Sequence, residues 1–275
     1  MKIDSNTKLF AVIGNPVKHS KSPLIHNVAL EDKQVNAVYM AFEIKNVENA
    51  IIAMKELGIV GYSVTIPHKI EVMKYLDEID GLAKSMGAVN TVHNKEGKLI
   101  GYNTDCMGAI NALKTKTELS GKKVYLVGAG GASRAITAGL TSQKANIVIF
   151  DLDDEKANAL AKEFGAQTKK MSELDNNCDI LINATPVGMF PKVDASVFPK
   201  ELLKKEMVVF DVVYNPLETQ LIKDAKEVGC ETVAGIEMFL EQAYAQFEIW
   251  NGINAPKEIM RKVLIQKLVE ETKNI

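Results

Sequence analysis

Short apolar runs alternate with amphipathic segments along most of the chain, and this alternation predicts an α/β protein. The predicted strands, in chain order, cover residues 9–14, 38–44, 61–66, 87–92, 99–103, 124–127, 145–150, 178–186, 208–214 and 230–233. The predicted helices cover residues 22–33, 47–57, 70–79, 80–86, 104–113, 134–143, a stretch from 219, 237–250 and 256–272. Strands that alternate with helices imply right-handed βαβ crossovers and a largely parallel sheet.

The sequence around residues 124–135 contains the main functional motif. An apolar run, Val124-Tyr125-Leu126-Val127, is followed by Gly128-Ala129-Gly130-Gly131-Ala132-Ser133 and the start of a helix. Glycines allow a tight turn and a close backbone approach to a ligand, and the helix N-terminus offers N–H groups to a pyrophosphate. Ser133 stands where the G-x-G-x-x-G pattern has its third glycine and is still small. The turn alone is also compatible with a plain strand-to-helix connection.

A carboxylate after the next predicted strand strengthens the dinucleotide interpretation. The strand over residues 145–150 ends at Asp151, about twenty residues past the glycines, where an acidic residue binds the adenosine ribose hydroxyls. Strand, glycine turn, helix, strand and carboxylate together predict a Rossmann-type dinucleotide site.

Several polar residues in the first 105 positions stand at predicted element ends. Ser22 is predicted as a helix N-cap with Pro23 in the first turn, and hydroxyls there also suit a carboxylate ligand. Thr65 alternates with apolar neighbours near the end of a strand. Lys69 is predicted at a helix start, where the helix dipole disfavours a cation, so a surface lysine and a ligand-holding lysine both stay open. Asp105 suits either an N-cap or a binding group.

Composition narrows the function classes. The chain has 275 residues, 47% hydrophobic and 25% charged, with a net charge of -2, which fits two domains and gives no electrostatic reason to expect nucleic acid or a membrane surface. The first residues show no signal-peptide pattern, and no apolar run approaches membrane-spanning length. The three cysteines are isolated and the four histidines lack ligand spacing, so we expect reduced thiols, a cytoplasmic location and no metal.

Separate stretches together resemble the shikimate dehydrogenase family. They are Gly14-Asn15-Pro16, His19-Ser20-Lys21-Ser22-Pro23 with His26-Asn27, Val64-Thr65-Ile66-Pro67-His68-Lys69, Gly87-Ala88-Val89-Asn90-Thr91-Val92, Gly101-Tyr102-Asn103-Thr104-Asp105, the glycine turn through Arg134, Asn183-Ala184-Thr185-Pro186 with Gly188-Met189, Asp211 with Tyr214 and Pro216, and Met238 with Gln242-Ala243. The resemblance implies an N-terminal α/β substrate domain of residues 1–105 plus 236–275 and a doubly wound Rossmann domain of residues 106–235, with the active site in the cleft between them.

The same resemblance implies an oxidoreductase of aromatic amino acid (chorismate) biosynthesis. Its reaction is reversible hydride transfer between a nicotinamide cofactor and the ring ketone of 3-dehydroshikimate. The implied catalytic pair is Lys69 and Asp105. The implied substrate residues are Ser20, Ser22, Thr65, Lys69, Asn90, Asp105, Tyr214 and Gln242. The implied cofactor residues are Gly128, Ala129, Gly130, Gly131, Ala132, Ser133, Asp151, Leu152, Asp153, Ala184, Thr185, Pro186, Val212, Gly235 and Met238.

Two departures from the family pattern bear on specificity. Many members carry Asn where this chain has Ser63. NADP-dependent members place an arginine at the position of Leu152, whereas here Asp151 and Asp153 flank an apolar residue and disfavour a 2′-phosphate. We therefore expect NAD(H) to be favoured, with NADP(H) possible and a solvated loop as the plain alternative.

Other functions on the same scaffold stay open. One is an NAD-dependent quinate/shikimate dehydrogenase in quinate catabolism. Another is a non-catalytic shikimate or nucleotide sensor, against which the presence of both Lys69 and Asp105 argues. We expect a small-molecule substrate as partner, no nucleic acid or membrane partner, and a monomer or homodimer.

Overall fold

The computed structural model describes residues 3–273 of the chain, with side chains through residue 271. The chain divides into two compact units, Met1–Thr104 with Gln242–Lys267, and Asp105–Glu241 with Leu268–Ile275. We call these the first and the second unit. The predicted functional domain limits stay a prediction, and residues 1–2 and 274–275 of that prediction lie outside the described residues.

The first unit is built on a mixed six-stranded sheet of order β2-β1-β3-β5-β6-β4. Its strands are β1 (Lys8–Gly14), β2 (Ala37–Glu43), β3 (Gly61–Val64), β4 (Glu78–Ile79), β5 (Thr91–Lys95) and β6 (Lys98–Tyr102). Its helices are α1 (Ser22–Asp32), α2 (Val47–Glu56) and α3 (Gly81–Met86), and the C-terminal helices α8 (Gly235–Asn251) and α9 (Lys257–Lys273) contribute residues to both units. One face of the sheet packs on α2 through an apolar cluster that includes Ile13, Ile51 and Tyr62.

The second unit is built on a fully parallel six-stranded sheet of order β12-β11-β10-β7-β8-β9. Its strands are β7 (Lys123–Val127), β8 (Asn146–Phe150), β9 (Gln167–Thr168), β10 (Ile180–Asn183), β11 (Val208–Asp211) and β12 (Glu231–Val233). Its helices are α4 (Thr104–Lys114), whose first residue belongs to the first unit, α5 (Gly131–Ser142), α6 (Asp154–Phe164) and α7 (Gln220–Val228). The central strands are buried on both faces, as their continuous apolar runs predict.

The structure corrects three local predictions. Residues 70–79 form no α-helix; a short 3-10 helix, Glu71–Tyr75, and the strand β4 occupy this stretch. The strand predicted from residue 87 begins at Thr91, because Gly87 adopts a φ of 62° as the C-cap of α3. The helix α6 and strand β9 were not predicted, although Asp153 before it and Gly165 after it are good end signals.

Within residues 3–273, no helix combines the length and apolarity needed to cross a membrane. The described side chains include no cluster of three or more His, Cys, Asp or Glu residues that could hold a metal ion. The three cysteines are free thiols, and burial raises the pKa of Cys106 to about 11 and that of Cys178 to about 12.

Candidate active site

Strand direction in the first unit brings the predicted substrate groups to one edge of its sheet. β1 and β3 are parallel, and β5 is antiparallel to β3, so the carboxyl ends of β1 and β3 lie beside the amino end of β5. Segments that follow or precede these ends therefore meet at that edge. The predicted residues in those segments are Ser20, Ser22, Thr65, Lys69 and Asn90.

Thr65 is held against the end of β1. Its backbone N–H donates to the carbonyl of Ile13 at 2.9 Å, and the N–H of Asn15 donates to the carbonyl of Ile66 at 2.9 Å. A Cβ atom on Gly14 would lie 2.3 Å from Thr65 Cγ2, so any side chain at this position would force Thr65 to shift.

Lys69 lies half-buried in the turn that follows β3. Its carbonyl accepts a hydrogen bond from the N–H of Val89 at 2.8 Å, which ties this turn to the segment leading into Asn90. The sequence argument from an unfavourable helix dipole does not apply, because the element that follows is a five-residue 3-10 helix beginning at Glu71.

Asn90 is fixed by the start of α4. It is 3% exposed, its Oδ1 accepts from the N–H of Thr104 at 2.8 Å, and its Nδ2 donates to Thr104 Oγ1 at 3.0 Å. A second amide on the same segment, Asn103 Nδ2, donates to the carbonyl of Ala88 at 3.0 Å. The side chain of Asn90 is thus held in a single orientation at the sheet edge.

Ser22 is not the N-cap of α1, contrary to prediction. It is the first helical residue, Lys21 occupies the cap position without a side-chain cap, and Ser20 Oγ accepts from the N–H of Ser22 at 3.2 Å. Ser22 is 7% exposed. Ser22 is therefore a buried residue of the first turn of α1 and does not cap the helix.

The glycine turn of the second unit has the predicted strand–turn–helix geometry. Gly128 has a φ of 110°, and a Cβ there would lie 3.0 Å from the backbone of Ala184. The turn leads into α5, whose N-terminal N–H groups suit a pyrophosphate. Ser133 is fully buried, which fits the small third position of the motif.

Asp151 connects the glycine turn to the end of β8. Its Oδ2 accepts from the N–H of Ala129 at 2.6 Å and its Oδ1 from the N–H of Asp153 at 2.8 Å. Leu152 between the two carboxylates is 93% exposed. Asp153 caps α6 and pairs with Lys156 at 2.8 Å, and hydrogen bonding to Lys156 lowers the pKa of this carboxyl.

A buried carboxylate organises the ends of β10 and β11. Asp211 Oδ1 accepts from Asn183 Nδ2 and from the N–H of Val213, both at 3.0 Å, and its Oδ2 accepts from Thr219 Oγ1 at 2.6 Å. Burial raises the pKa of Asp211, and these three hydrogen bonds oppose that shift. Asn183 Oδ1 in turn accepts from Thr185 Oγ1 at 2.7 Å. The predicted cofactor residues of the two loops are thereby held: Ala184, Thr185, Pro186 and Val212.

Comparison with known proteins decides the family. Residues 12–92 match the shikimate dehydrogenase substrate binding domain, residues 111–218 the shikimate/quinate 5-dehydrogenase domain, and residues 235–265 the shikimate 5′-dehydrogenase C-terminal domain. The chain belongs to the shikimate dehydrogenase family. The predicted resemblance and the prediction of an oxidoreductase of this family are confirmed.

Individual relatives cover nearly the whole chain. A shikimate dehydrogenase (NADP(+)) of Methanocaldococcus jannaschii is 46% identical over 98% of this chain and 100% of its own. A crystal structure of a shikimate dehydrogenase in complex with NADP+ is 45% identical, with a TM-score of 0.92 and coverage of 97% of this chain and 98% of that one. The Listeria monocytogenes shikimate 5-dehydrogenase, in complex with shikimate and NAD, is 33% identical with a TM-score of 0.90, covering 96% and 98%.

The two units of this shikimate dehydrogenase family member divide the predicted site residues. The first unit contains Ser20, Ser22, Thr65, Lys69, Asn90 and Gln242. The second contains Asp105, Tyr214 and all the predicted cofactor residues. Tyr214 stacks on Phe239 with ring centroids 5.1 Å apart, and burial raises its pKa. Gly235 approaches the loop after β11 closely, because a Cβ there would lie 2.5 Å from the carbonyl oxygens of Val212 and Val213. Met238, one turn along α8, is 9% exposed.

Sequence reasoning missed the residues that hold these groups in place. Neither Tyr39 nor Gln246 has a predicted site role, and Thr104 and Asp211 belong to the family pattern without a predicted role of their own. Gln246 follows Gln242 by one helical turn and so lies on the same face of α8, a spacing visible in the sequence. The partners of Tyr39 and Asp211 are 24 and 28 residues away, and no local pattern identifies them.

Proposed function

We propose that this chain catalyses reversible hydride transfer between a nicotinamide cofactor and the ring ketone of 3-dehydroshikimate, with shikimate as the alcohol. The observation that carries this proposal is the 46% identity to a shikimate dehydrogenase over nearly the full length of both chains. The complex of a relative with shikimate and NAD adds support for both ligand classes. A cytoplasmic location and a monomeric or homodimeric state are part of the proposal.

The proposed roles follow from charge and proton demand. The bound nicotinamide supplies or accepts the hydride. Reduction leaves negative charge on the ketone oxygen, and the Lys69 ammonium group would donate a proton there while Asp105 orients the lysine. Ser20 and Ser22 would donate to the substrate carboxylate. Thr65, Asn90, Tyr214 and Gln242 would contact the hydroxyls or line the pocket.

The residues of the second unit fit a dinucleotide. The turn from Gly128 to Ser133 offers backbone N–H groups at the start of α5 for the pyrophosphate, and Asp151 stands at the end of the next strand for ribose hydroxyls. We propose that NAD(H) is favoured over NADP(H), although the similar relatives named above include NADP(+)-dependent enzymes. The support is local: Leu152 provides no positive charge, and Asp151 and Asp153 would repel a 2′-phosphate.

A steady-state comparison of two substrates and two cofactors tests the proposal. The absorbance of the reduced cofactor, NADH or NADPH, is followed with shikimate or quinate as substrate, each with NAD or NADP. The expected result is the highest kcat/KM with shikimate and NAD. A preference for quinate would assign the chain to quinate oxidation. Binding of shikimate and nucleotide by calorimetry, with no turnover in any combination, would support a sensor.

A further inference from the structure

The side chain of Asn90 belongs to a closed group of hydrogen bonds at the predicted substrate edge of the first-unit sheet. Its backbone is fixed between two strands, because its N–H donates to the carbonyl of Tyr102 at 3.1 Å and its carbonyl accepts from the N–H of Val64 at 2.7 Å. Thr91 begins β5 and Thr104 begins α4. Asn90 is 3% exposed and both threonines are 0% exposed. We call Asn90, Thr91 and Thr104 the Asn90 cluster.

The Asn90 cluster fills both lone pairs of the amide oxygen. Asn90 Oδ1 accepts from the N–H of Thr104 at 2.8 Å and from Thr91 Oγ1 at 2.7 Å. Thr91 Oγ1 accepts in turn from Gln246 Nε2 at 3.0 Å, so its own hydrogen is directed at Asn90. A carbonyl oxygen of an amide has two lone pairs. Asn90 Oδ1 therefore has no capacity left to accept a hydrogen bond from a substrate.

A backbone group decides the orientation of the Asn90 amide. A backbone N–H can only donate, so the amide atom that faces the N–H of Thr104 at 2.8 Å must be the oxygen. The reverse orientation would place two donors against each other inside a buried cluster, which is costly. The direction of the amide is thus independent of how the neighbouring hydroxyl groups rotate.

The amide nitrogen of Asn90 keeps one hydrogen to offer. Nδ2 carries two hydrogens, and one of them donates to Thr104 Oγ1 at 3.0 Å. Among the described residues, no acceptor takes the second hydrogen. A donor at this depth without an acceptor is costly, and a ligand at the substrate edge would supply the acceptor. Asn90 can therefore present an N–H group to a ligand and no acceptor.

We propose that Asn90 is a specificity-determining residue that offers the substrate a hydrogen-bond donor and no acceptor, with Thr91 and Thr104 as positioning residues that fix it in this role. The inference rests on the proposed function and deepens it, since the ligand group would be a ring oxygen of shikimate. The substituent at that ring position must carry a lone pair. A hydroxyl, a carbonyl oxygen or a fluorine atom satisfies this requirement, whereas an ammonium group, which only donates, does not.

The first experiment identifies the ring oxygen that Asn90 contacts. Calorimetry with NADH present, so that no turnover occurs, measures the binding of shikimate and of its three monodeoxy analogues to the wild type and to Asn90→Ala. Loss of the contacted hydroxyl should weaken binding to the wild type about tenfold. In Asn90→Ala this penalty should be at least about threefold smaller, with the other two penalties unchanged. If all three penalties stay at their wild-type values, no ring hydroxyl meets this amide and the inference is overturned.

Fluoro and amino analogues at the ring position so identified test the direction of the hydrogen bond. In the wild type the fluoro analogue should bind about threefold more tightly than the deoxy analogue, and the ammonium form of the amino analogue more weakly. Asn90→Asp replaces Nδ2 by an oxygen, to which Thr104 Oγ1 can donate, so the cluster stays satisfied. In this variant the amino analogue should bind about tenfold more tightly than the fluoro analogue. Asn49→Asp, the matched control, adds the same charge at an exposed position of α2 and should keep the wild-type order.

The positioning role of Thr91 is tested by removing its hydroxyl. In Thr91→Val the penalty for deleting the contacted ring hydroxyl should be about threefold smaller than in the wild type, and Thr91→Ser should restore it. The matched control is Thr137→Val, an equally buried threonine of the second unit whose hydroxyl donates to the carbonyl of Ser133 at 2.7 Å. It should leave the penalty unchanged. A lower Tm with an unchanged penalty in Thr91→Val would show that Thr91 serves packing alone and refute its positioning role.

The outcomes separate this inference from the proposed function. If the wild type turns over neither shikimate nor quinate but the analogue pattern is found, the proposed reaction fails and the donor role of Asn90 stands. If the wild type is active and Asn90→Asp keeps the wild-type order of the analogues, the donor role is refuted. Should the Asn90 variants not fold, hydrogen exchange of isotope-labelled asparagine side chains in the wild type decides the question. Shikimate should slow the exchange of one Nδ2 hydrogen of Asn90, and an unchanged rate would refute the inference.

Discussion

The two units place the proposed binding residues at a sheet edge in different ways. In the second unit all strands are parallel, and the glycine turn contributes six contiguous predicted residues directly after β7. In the first unit, contacts at the edge join residues far apart in sequence, such as Ser63 and Gln246 across 183 positions. A cofactor loop can therefore be identified from a local pattern. The proposed substrate edge of the first unit depends on polar contacts between residues far apart in sequence, which no local pattern identifies.

The largest expected effect on turnover is that of replacing Lys69, in the first unit. Lys69→Ala removes the proposed proton donor while the backbone contact of this residue to Val89 is kept. General acid–base assistance contributes about 10²–10⁴ in rate, so kcat should fall at least about a hundredfold with a smaller change in the KM for shikimate. Steady-state kinetics at saturating cofactor measures this.

An exposed lysine on the following 3-10 helix provides the control. Lys74→Ala should leave kcat within about twofold of the wild type, as expected for a surface charge. The proposed partnership with Asp105 is tested by Asp105→Asn, alone and combined with Lys69→Ala. The double variant should be no slower than the slower single variant, since both act on one step. Near-normal turnover in Lys69→Ala would remove this lysine from the mechanism.

The second unit shows how much a sequence can predict. Apolar β-branched runs, the glycine turn and Asp151 at a fixed spacing predicted the strand–turn–helix geometry around residues 124–151, and β7, α5 and β8 form there. These signals are local: a strand buried on both faces is a continuous apolar run, and a tight turn needs glycine. The role of Asp211 could not be predicted in this way, because its partners come from β10 and from the loop before α7.

The first unit shows which structural features could not be predicted from the sequence. The polar residues after β1 and β3 are predicted as candidates, and Ser22 is predicted both as an N-cap and as a carboxylate ligand. The capping part is wrong, because α1 begins at Ser22 and Lys21 occupies the cap position. The dipole argument for Lys69 failed because the expected α-helix over residues 70–79 is a 3-10 helix and a short strand. Side-chain contacts across a mixed sheet depend on register, and register is a property of the assembled sheet.

Burial of an imidazole in the first unit should make that unit sensitive to acid. His26 is 1% exposed, stacks on Tyr39 and lies tilted against Trp250, and burial lowers its pKa from 6.5 to about 3. The unfolded chain therefore binds more protons than the folded chain between these values, and stability falls as the pH drops below 6.5. At pH 5 the free energy of unfolding is therefore about 2 kcal/mol lower than it would be without this shift in the pKa of His26.

Replacement of that imidazole isolates its contribution. His26→Phe keeps an aromatic ring in the stack and removes the titration, so the unfolding free energy of the variant relative to the wild type should rise by about 2 kcal/mol between pH 8 and pH 5. Urea unfolding at a series of pH values measures this. His93→Phe, at a half-buried site, should change the pH dependence less. Parallel curves for the wild type and His26→Phe would mean that folding leaves the pKa of this imidazole unchanged, which would contradict the expected effect of burial.

The next smaller effect is expected from a substitution in the second unit that changes the preference between NAD and NADP. Leu152→Arg places a guanidinium between Asp151 and Asp153 at a 93% exposed position. A charge-assisted contact to the 2′-phosphate should shift the ratio of kcat/KM values by about tenfold or more toward NADP. Leu57→Arg, on an exposed position of the first unit, adds the same charge and should leave the ratio unchanged. A wild type that already favours NADP would refute the proposed effect of the two carboxylates.

The smallest expected effect separates backbone geometry from ligand contact at the glycine turn. Gly130 has a φ of -86°, which any residue adopts, and a Cβ on it would meet no atom of the described chain within 4 Å. Gly130→Ala should therefore leave the Tm unchanged. If the turn lies against the pyrophosphate, the added methyl group crowds the ligand, and the KM for the cofactor should rise about fivefold. Gly81→Ala, with equally open space at the start of α3, should change neither quantity. An unchanged cofactor KM in Gly130→Ala would show that this glycine does not serve close approach, and would leave Gly128, with its positive φ, as the conformational requirement of the turn.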